Sequence, residues 1–144
     1  MNLKIEKLTI ENISQVAKIE SELIAKISEE SIKSTIGSDT VSYFVLLNGD
    51  LVCGFLECSI IAPESELYEI AIAKEFQGNG YSKLLMDFYL SFSKEKGSDT
   101  IFLEVNSINM KAISLYKKYG FCEYGRRKNY YGNQEDAILM KLKI

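Results

Sequence analysis

Residues 77–85 read QGNGYSKLL, a glycine-rich run that opens directly into an apolar helical pattern. The alternating stretch ELYEIAIA, residues 66–73, precedes it and is typical of a strand. A strand, a glycine loop and a helix N-terminus together form an anion site, because free N–H groups and the helix dipole both favour negative charge. Since glycine also lets the backbone approach an anion closely, this stretch predicts a phosphate cradle.

Several phosphate-binding loops compete for this stretch. The spacing of GxxxxGK[ST] does not fit, whereas GxGxxG fits until Lys83 takes the place of the third glycine, with Glu104 standing where a ribose-binding acid would. A hairpin precedes the loop, however, and 144 residues leave little room for a dehydrogenase. A third pattern, Gln/Arg-x-x-Gly-x-Gly/Ala, fits residues 77–82 with Ser82 in the last small position. A tight turn that binds nothing is the structural alternative.

The first half of the chain predicts a strand, two helices and a hairpin. LKIEKLTI, residues 3–10, alternates as a strand does, and helical spacing runs from Ile13 to Ile27, broken at Glu20. Ser28 suits the N-cap of a second helix that Gly37 would end. Asn48-Gly49 between two apolar runs is a strong hairpin signal.

The second half continues with helices and strands in alternation. The helix after the glycine loop stops at Gly97, TIFLEVN (100–106) is strand-like, and Asn109 caps a short helix that ends at Gly120. Two final strands form a hairpin. The element order β α α β β β α β α β β predicts a mixed α/β (α+β) sheet with helices on its faces.

Composition limits the class of protein. A chain of 144 residues suits one domain over residues 1–144, and no run approaches the ~18–20 apolar residues of a membrane span. Cys53, Cys58 and Cys122 are odd in number and fit no zinc spacing, so we expect reduced thiols in a cytoplasmic protein and no metal. The absence of histidine excludes any histidine-based triad.

Charge is unevenly distributed between the two halves. Residues 1–72 hold five lysines and twelve acids, a net −7, whereas residues 73–144 hold twelve basic residues and eight acids, a net +4. A basic half suits a polyanionic ligand and an acidic half a cationic one, although chance asymmetry is an alternative.

Three stretches of the second half, one of which contains the Gln/Arg-x-x-Gly-x-Gly/Ala loop, carry a wider resemblance. They are EIAIAKEFQGNGYSKLLMDF, IFLEVNSINMKAISLYKKYGF and RRKNYYGNQEDAILMKL. In order and spacing they resemble the GNAT superfamily of acetyl-CoA-dependent N-acetyltransferases, and within it the RimI-like enzymes that acetylate the N-terminus of a ribosomal protein. The resemblance is close from about Glu69 to Leu142 and weaker before it. Where the family carries a Pro-Trp-Ser-like stretch beside the acceptor, this chain reads LIAKISEES, residues 23–31.

The resemblance implies a GNAT fold, with about seven mostly antiparallel strands and four helices, and acetyl-CoA as co-substrate. The loop amides would hold the pyrophosphate of coenzyme A, and Asn109 would contact the cofactor besides capping its helix. The strand before the loop would splay from the next one near Glu104, so that its backbone pairs with the pantetheine. The cofactor-binding residues so implied are Ile70, Ala71, Ile72, Gln77, Gly78, Asn79, Gly80, Tyr81, Ser82, Lys83 and Asn109. By its chemistry alone, Lys83 either faces the phosphates or is merely solvated.

Acetyl transfer from a thioester to an amine needs a neutral amine, a stabilised oxyanion and a proton for the thiolate. Strand alternation sets Glu104 on the face opposite Leu103 and Val105, and a solvated glutamate is the alternative to a base there. The resemblance implies that Glu104 is the general base, acting directly or through water. It likewise implies that Tyr116 is the general acid, although a core role stays open. Tyr119 is expected to pack in the core.

The resemblance places Tyr130 and Tyr131 in a hairpin over the acceptor groove. Residues 126–128, RRK, are either a solvated strand end or a basic surface facing phosphate or the ribosome. We expect acetylation of the N-terminal α-amine of a protein. A small-molecule amine, such as a polyamine or an antibiotic, and a non-catalytic acyl-CoA-binding module are the alternatives. Neither a nucleic acid nor a membrane is expected as a partner, and the sequence leaves the oligomeric state open.

Overall fold

The computed structural model describes residues 2–144, which form one seven-stranded sheet with helices on both faces. The helices are α1 (Ile13–Leu23), α2 (Glu29–Lys33), α3 (Tyr81–Glu95) and α4 (Met110–Lys118). The strands are β1 (Leu3–Lys7), β2 (Val41–Asn48), β3 (Leu51–Ile61), β4 (Glu64–Ile72), β5 (Thr100–Asn106), β6 (Cys122–Gly132) and β7 (Glu135–Lys143). Their order across the sheet is β1-β2-β3-β4-β5-β7-β6, which confirms the predicted fold class.

The central strands β4 and β5 form a fork. They are the one parallel pair among the described strands, and their pairing ends where Leu67 faces Leu103. On the other side of β4, the register with β3 jumps from Glu57–Glu69 to Cys58–Leu67, so that Tyr68 is the extra residue of a bulge. A bulge bends its strand and increases the local twist. Beyond Leu67, β4 therefore diverges from β5 and leaves an opening in the sheet.

Each face of the sheet is covered by one pair of helices. Helices α3 and α4 bury Leu85, Tyr89 and Tyr116 against one face, together with Leu103 and Val105 of β5. On the opposite face, α1 and α2 pack against β2 and β3 through a second cluster that includes Val16, Ile19, Ile32, Val45 and Phe55. The fork lies between these two layers and opens toward both.

The first two helices are shorter than the sequence predicts. Helix α1 ends at Leu23 rather than Ile27, because the N–H groups of Ile24 and Ala25 both bond to the Glu20 carbonyl and close the last turn. Ser28 caps α2 as predicted, accepting from Ser31 N at 3.1 Å, but α2 gives way to turns before Gly37. Nor does Glu20 interrupt the buried face of α1, since it is only 4% exposed.

The three cysteines differ in exposure, which predicts selective reactivity. Cys53 and Cys58 are fully buried, while Cys122 is exposed, and all three are free. Burial raises the pKa of both core thiols, that of Cys58 to about 12, so almost none of either is the reactive thiolate at neutral pH. We expect a thiol reagent to modify one cysteine in the native protein and three after unfolding. Cys122→Ser should abolish the native reaction; two rapidly reacting native thiols would contradict this assignment.

Candidate active site

The glycine loop has the backbone conformation of a cradle. Gly78 and Gly80 have φ of 84° and 78°, which L side chains rarely adopt, and a Cβ at either would meet nothing within 4 Å. Glycine is therefore required by the backbone conformation rather than by crowding. The amides of Gly78, Asn79 and Gly80 donate to no acceptor within residues 2–144, so they remain available for a ligand.

Two side chains brace the loop against the strand before it. Gln77 Nε2 donates to the Ile72 carbonyl at 2.9 Å, and Asn79 Nδ2 donates to the Phe76 carbonyl at 3.0 Å. These bonds fix where the loop leaves β4 and where it turns into α3. Gln77 and Asn79 thus act on the cradle through their side chains, while the cradle itself is made of backbone.

A cavity of about 340 Å³, called here the donor cavity, adjoins the loop. Asn109 is one of its lining residues. The Asn109 side-chain oxygen accepts a hydrogen bond from Ala112 N at 3.2 Å and so caps α4, as the sequence predicts. The lining comes from α1, β4, the loop and α4, and comprises Leu23, Ile24, Ile70, Ala71, Ile72, Phe76, Gln77, Gly78, Gly80, Tyr81, Ser82, Asn109, Lys111, Ala112 and Leu115. Most of the sequence-predicted cofactor residues therefore surround one cavity.

Asn79 and Lys83 are the predicted cofactor residues that do not line the donor cavity. The Lys83 side chain is exposed, and its carbonyl accepts a hydrogen bond from the Tyr119 hydroxyl at 3.2 Å. The same hydroxyl donates to Asp87 at 2.6 Å. Tyr119 thus packs its ring against the core, as expected, while its hydroxyl ties α4 to α3 at the surface.

A second cavity of about 270 Å³, called here the acidic groove, lies beside the fork. Glu104 follows directly on Leu103, the last β5 residue paired with β4, and so stands where the fork opens. Its Oε1 lies 3.5 Å from Arg127 Nη2. The groove is lined by Glu64, Ser65, Glu66, Phe102, Leu103, Glu104, Tyr124, Arg127 and Leu139.

Glu66 is a groove residue that no sequence-based prediction named. Arg127 belongs to the predicted basic stretch 126–128, but it contacts Glu104 in the groove. Burial and the nearby charge of Glu104 raise the pKa of Glu66. Alternation in the stretch 64–69 places Glu64 and Glu66 on one strand face, a signal that could have identified Glu66. No comparable signal exists for Arg127, because its pairing with Glu104 depends on how β6 folds back over β7 and β5.

Tyr116 lies on the opposite side of the sheet from Glu104. It is 7% exposed and its ring is tilted by 59° against that of Phe121, with centroids 5.8 Å apart, in the same cluster as Leu103 and Val105. Since β5 side chains alternate between faces, Glu104 projects from the other side. Burial raises the pKa of Tyr116 to about 12, so its hydroxyl stays protonated at neutral pH. A ligand that reaches both residues must enter the fork.

Tyr130 and Tyr131 lie on the β6–β7 hairpin near the groove. Their ring centroids are 5.1 Å apart, and the Arg127 guanidinium lies 5.5 Å from the Tyr130 ring. Burial, followed by the charge of Glu104, raises the pKa of Tyr131, which places this phenol within the field of the carboxylate. Asp136 fixes the hairpin by accepting from Asn129 N and donating its own N–H to the Ser107 hydroxyl.

Replacing Gly80 tests the cradle. Gly80→Val should weaken coenzyme A binding at least about tenfold, because a β-branched residue resists this positive φ and its side chain would stand where the loop meets a ligand. Calorimetric titration with coenzyme A measures the loss. Gly49→Val, at the β2–β3 turn with φ of 63°, is a matched control for backbone strain and should retain affinity. Unchanged binding by the Gly80 variant would contradict the cradle.

Comparison with known proteins agrees with this geometry. The acetyltransferase (GNAT) family model matches residues 9–121. Ribosomal protein bS18-alanine N-acetyltransferase of Haemophilus influenzae is 33% identical over 141 residues, which cover 89% of this chain and 95% of that protein. The Escherichia coli (strain K12) protein of the same name is 32% identical over 120 residues, covering 81% of this chain and 80% of that protein.

A solved structure extends the similarity to the fold. The crystal structure of the ribosomal-protein-S18-alanine N-acetyltransferase from Escherichia coli superposes with a TM-score of 0.90 at 28% identity, covering 99% of this chain and 94% of that one. The chain therefore belongs to the GNAT family of acetyltransferases. It is an acetyl-CoA-dependent N-acetyltransferase, as the RimI-like resemblance implied. Across residues 2–144, no helix is long and apolar enough to cross a membrane.

Proposed function

We propose that this enzyme acetylates the N-terminal α-amine of a protein, with a ribosomal protein as the first candidate. The observation that carries the proposal is the fork: residues 70–72, beyond its opening on β4, line the donor cavity, and Glu104, at its opening on β5, lines the acidic groove. The relatives named for acetylation of ribosomal protein bS18 support this acceptor class. Tyr130 and Tyr131 would then contact the first residues of the acceptor chain.

Coenzyme A binding would follow from the loop and the strand beside it. The free amides of residues 78–80 and the dipole of α3 would hold the pyrophosphate, with Gln77, Tyr81, Ser82 and Lys83 around it. The pantetheine would add to the open edge of β4 at residues 70–72, where pairing with β5 has ended. Asn109 would contact the cofactor from α4.

The acceptor amine would enter from the acidic groove. An α-amine with a pKa of about 7.7–8.0 is neutral in roughly a tenth of molecules at pH 7, so a base accelerates its attack. Glu104, directly or through a water, would first take a proton from the ammonium form and release it to solvent. The neutral nitrogen then attacks the thioester carbonyl carbon, and Glu104 takes the second nitrogen proton as the tetrahedral intermediate forms. A backbone N–H of β4 stabilises the oxyanion. The carbon–sulfur bond then breaks, Tyr116 donates its proton to the thiolate, and the tyrosinate regains one from solvent.

A small-molecule amine is the second candidate acceptor. Glu64, Glu66 and Glu104 together line the groove, and such a carboxylate-rich surface also suits a polyamine. The stretch 23–31, which departs from the family beside the acceptor, favours neither class. A non-catalytic acyl-CoA-binding module is the third candidate, and the presence of both Glu104 and Tyr116 argues against it.

A panel of acceptors distinguishes these candidates. The protein is incubated with acetyl-CoA and a set of N-terminal peptides, including that of bS18, and separately with spermidine and an aminoglycoside. Mass spectrometry then locates the added acetyl group. Acetylation of a peptide α-amine with the highest kcat/KM supports the proposal, whereas preferred acetylation of a small amine overturns it. Thermal stabilisation by acetyl-CoA without consumption by any amine would favour the binding module.

The proposal also covers the cellular location of the enzyme, the absence of a metal ion from the reaction, and the extent of the catalytic domain. A cytoplasmic location accords with three free cysteines, and the transfer as written uses no metal ion. Neither a nucleic acid nor a membrane takes part in it. The whole chain, residues 1–144, would act as a single catalytic domain.

A further inference from the structure

Three glutamates outside the proposed reaction meet in one place. Glu20 comes from α1, Glu57 from β3 and Glu69 from the β4 bulge, where Glu57 and Glu69 are cross-strand neighbours. One carboxylate oxygen from each lies within 4.8 Å of the others. We call this group the carboxylate cluster. It lies between α1 and the sheet, and Glu69 directly precedes residues 70–72, which line the donor cavity.

The three carboxyl groups are crowded together without a basic partner. Burial, followed by the hydrogen bond with Glu20, raises the pKa of Glu69 to about 9, so a bound cation would take the place of a proton. Glu20 is only 4% exposed, and its Oε2 and that of Glu69 are buried without a hydrogen-bond partner. Within residues 2–144, none of the three carboxylates forms an ion pair with a lysine or arginine. Burying unpaired carboxylates is costly, so such groups are normally paired or coordinate a metal.

The separations between the carboxylate oxygens of the cluster suit a divalent cation. Ca²⁺ binds oxygen ligands at about 2.3–2.6 Å, so two ligands on opposite sides of the ion lie about 4.6–5.2 Å apart. The three oxygens of the cluster all lie within 4.8 Å of one another, which is close enough for them to share one such ion. Mg²⁺ usually keeps several waters and is seldom held by dedicated all-protein cages, so a set of three protein carboxylates favours Ca²⁺. The absence of histidine matters little here, because hard cations of this size prefer oxygen to nitrogen.

We propose that Glu20, Glu57 and Glu69 bind a divalent cation of the size of Ca²⁺, which ties α1 to the β4 bulge. The site is structural: the acetyl transfer described above does not use it, and the proposal does not depend on the identity of the acceptor. The expectation of no metal rested on histidine and cysteine spacing. That reasoning cannot detect ligands contributed singly by three separate elements.

Thermal melting after treatment with EDTA is the first test. Ca²⁺ at tenfold excess over its dissociation constant should raise the Tm by about 3–6 °C. Glu57→Gln and Glu69→Gln should each weaken binding at least tenfold. Glu22 is an exposed glutamate on α1, the helix that carries Glu20. Glu22→Gln makes the same charge change and should retain the wild-type Tm response to Ca²⁺.

Terbium luminescence locates the ion and covers the case in which a variant fails to fold. The chain has no tryptophan, so tyrosines alone can sensitise bound Tb³⁺. Tyr43 is the cross-strand neighbour of Glu57, and its hydroxyl interacts with that carboxylate. Wild-type protein should show sensitised emission that saturates at one equivalent and is displaced by Ca²⁺. Tyr43→Phe should lose most of this emission yet keep the Tm response to Ca²⁺.

Two results would overturn the proposal. One is the absence of both emission and a Tm shift up to about 5 mM Ca²⁺, above the ~10⁻³ M dissociation constants of weak calcium sites, which would mean that protons alone neutralise the cluster. The other is full emission from Glu57→Gln and Glu69→Gln, which would place the ion elsewhere.

Discussion

Glu104→Gln is expected to lower turnover by about 10²–10⁴-fold below pH 8, the usual contribution of a positioned general base. Glutamine keeps the size of the side chain but cannot take the ammonium proton. The loss should shrink as the pH rises toward 9, because more of the α-amine is then neutral without help. Measurement of kcat/KM from pH 6 to 9, with calorimetric titration of acetyl-CoA, separates catalysis from cofactor binding, which should be retained.

Glu66→Gln is the matched comparison, since it makes the same chemical change in the same groove. Glu66 faces Phe102 where β4 and β5 are still paired, whereas Glu104 stands at the opening. We therefore expect Glu66→Gln to lower turnover less than about tenfold. Wild-type rates for Glu104→Gln across the whole pH range, or a larger loss in Glu66→Gln, would remove Glu104 from the role of base.

Tyr116→Phe should lower kcat about a hundredfold with little change in the KM of the acceptor, because a general acid acts on the departing thiolate after the acceptor is bound. The variant should fold normally, since the Tyr116 hydroxyl makes no hydrogen bond within residues 2–144 and phenylalanine retains the contact with Phe121. Steady-state kinetics and a thermal melt measure the two quantities.

The raised pKa of Tyr116 adds a pH dependence to this prediction. With a pKa of about 12, the phenol remains protonated up to about pH 10, so wild-type turnover should show no alkaline decline below that pH from this group. Tyr119→Phe is the control: its hydroxyl bonds to Asp87 at the surface, and the variant should turn over normally. An unaltered rate in Tyr116→Phe would exclude it from the mechanism.

Local signals were sufficient for most of the fold. The Asn48-Gly49 turn, the Ser28 and Asn109 caps and the glycine loop each depend on a few adjacent residues, and each lies where the sequence predicts. The predicted end of α1, Ile27, was wrong because the helix end depends on how the turn after Leu23 closes on the Glu20 carbonyl. Periodicity continued the helix to Ile27, since apolar spacing persists beyond the last helical residue.

Candidate site residues could be predicted only where a sequence motif or the family resemblance covers them. The roles of Glu104 and Tyr116 come from the family resemblance and stay predictions. The Arg127–Glu104 pair joins separate strands through the β6–β7 hairpin, so no local pattern reveals it. Glu20 was misread because an acid among apolar helix positions normally faces water. Only the fold shows that it turns inward to meet two more glutamates.

The place where β4 and β5 part has a consequence for the order of events. Residues 70–72 of β4 line the donor cavity and Glu104 of β5 lines the acidic groove, so the two cavities have no lining residue in common. If acetyl-CoA occupies the first and the amine the second, as proposed, both would be bound at once and the acetyl group would pass directly between them without a covalent intermediate on the protein. On this proposal, the width of the opening between β4 and β5 would limit the size of the acyl group that the enzyme can transfer.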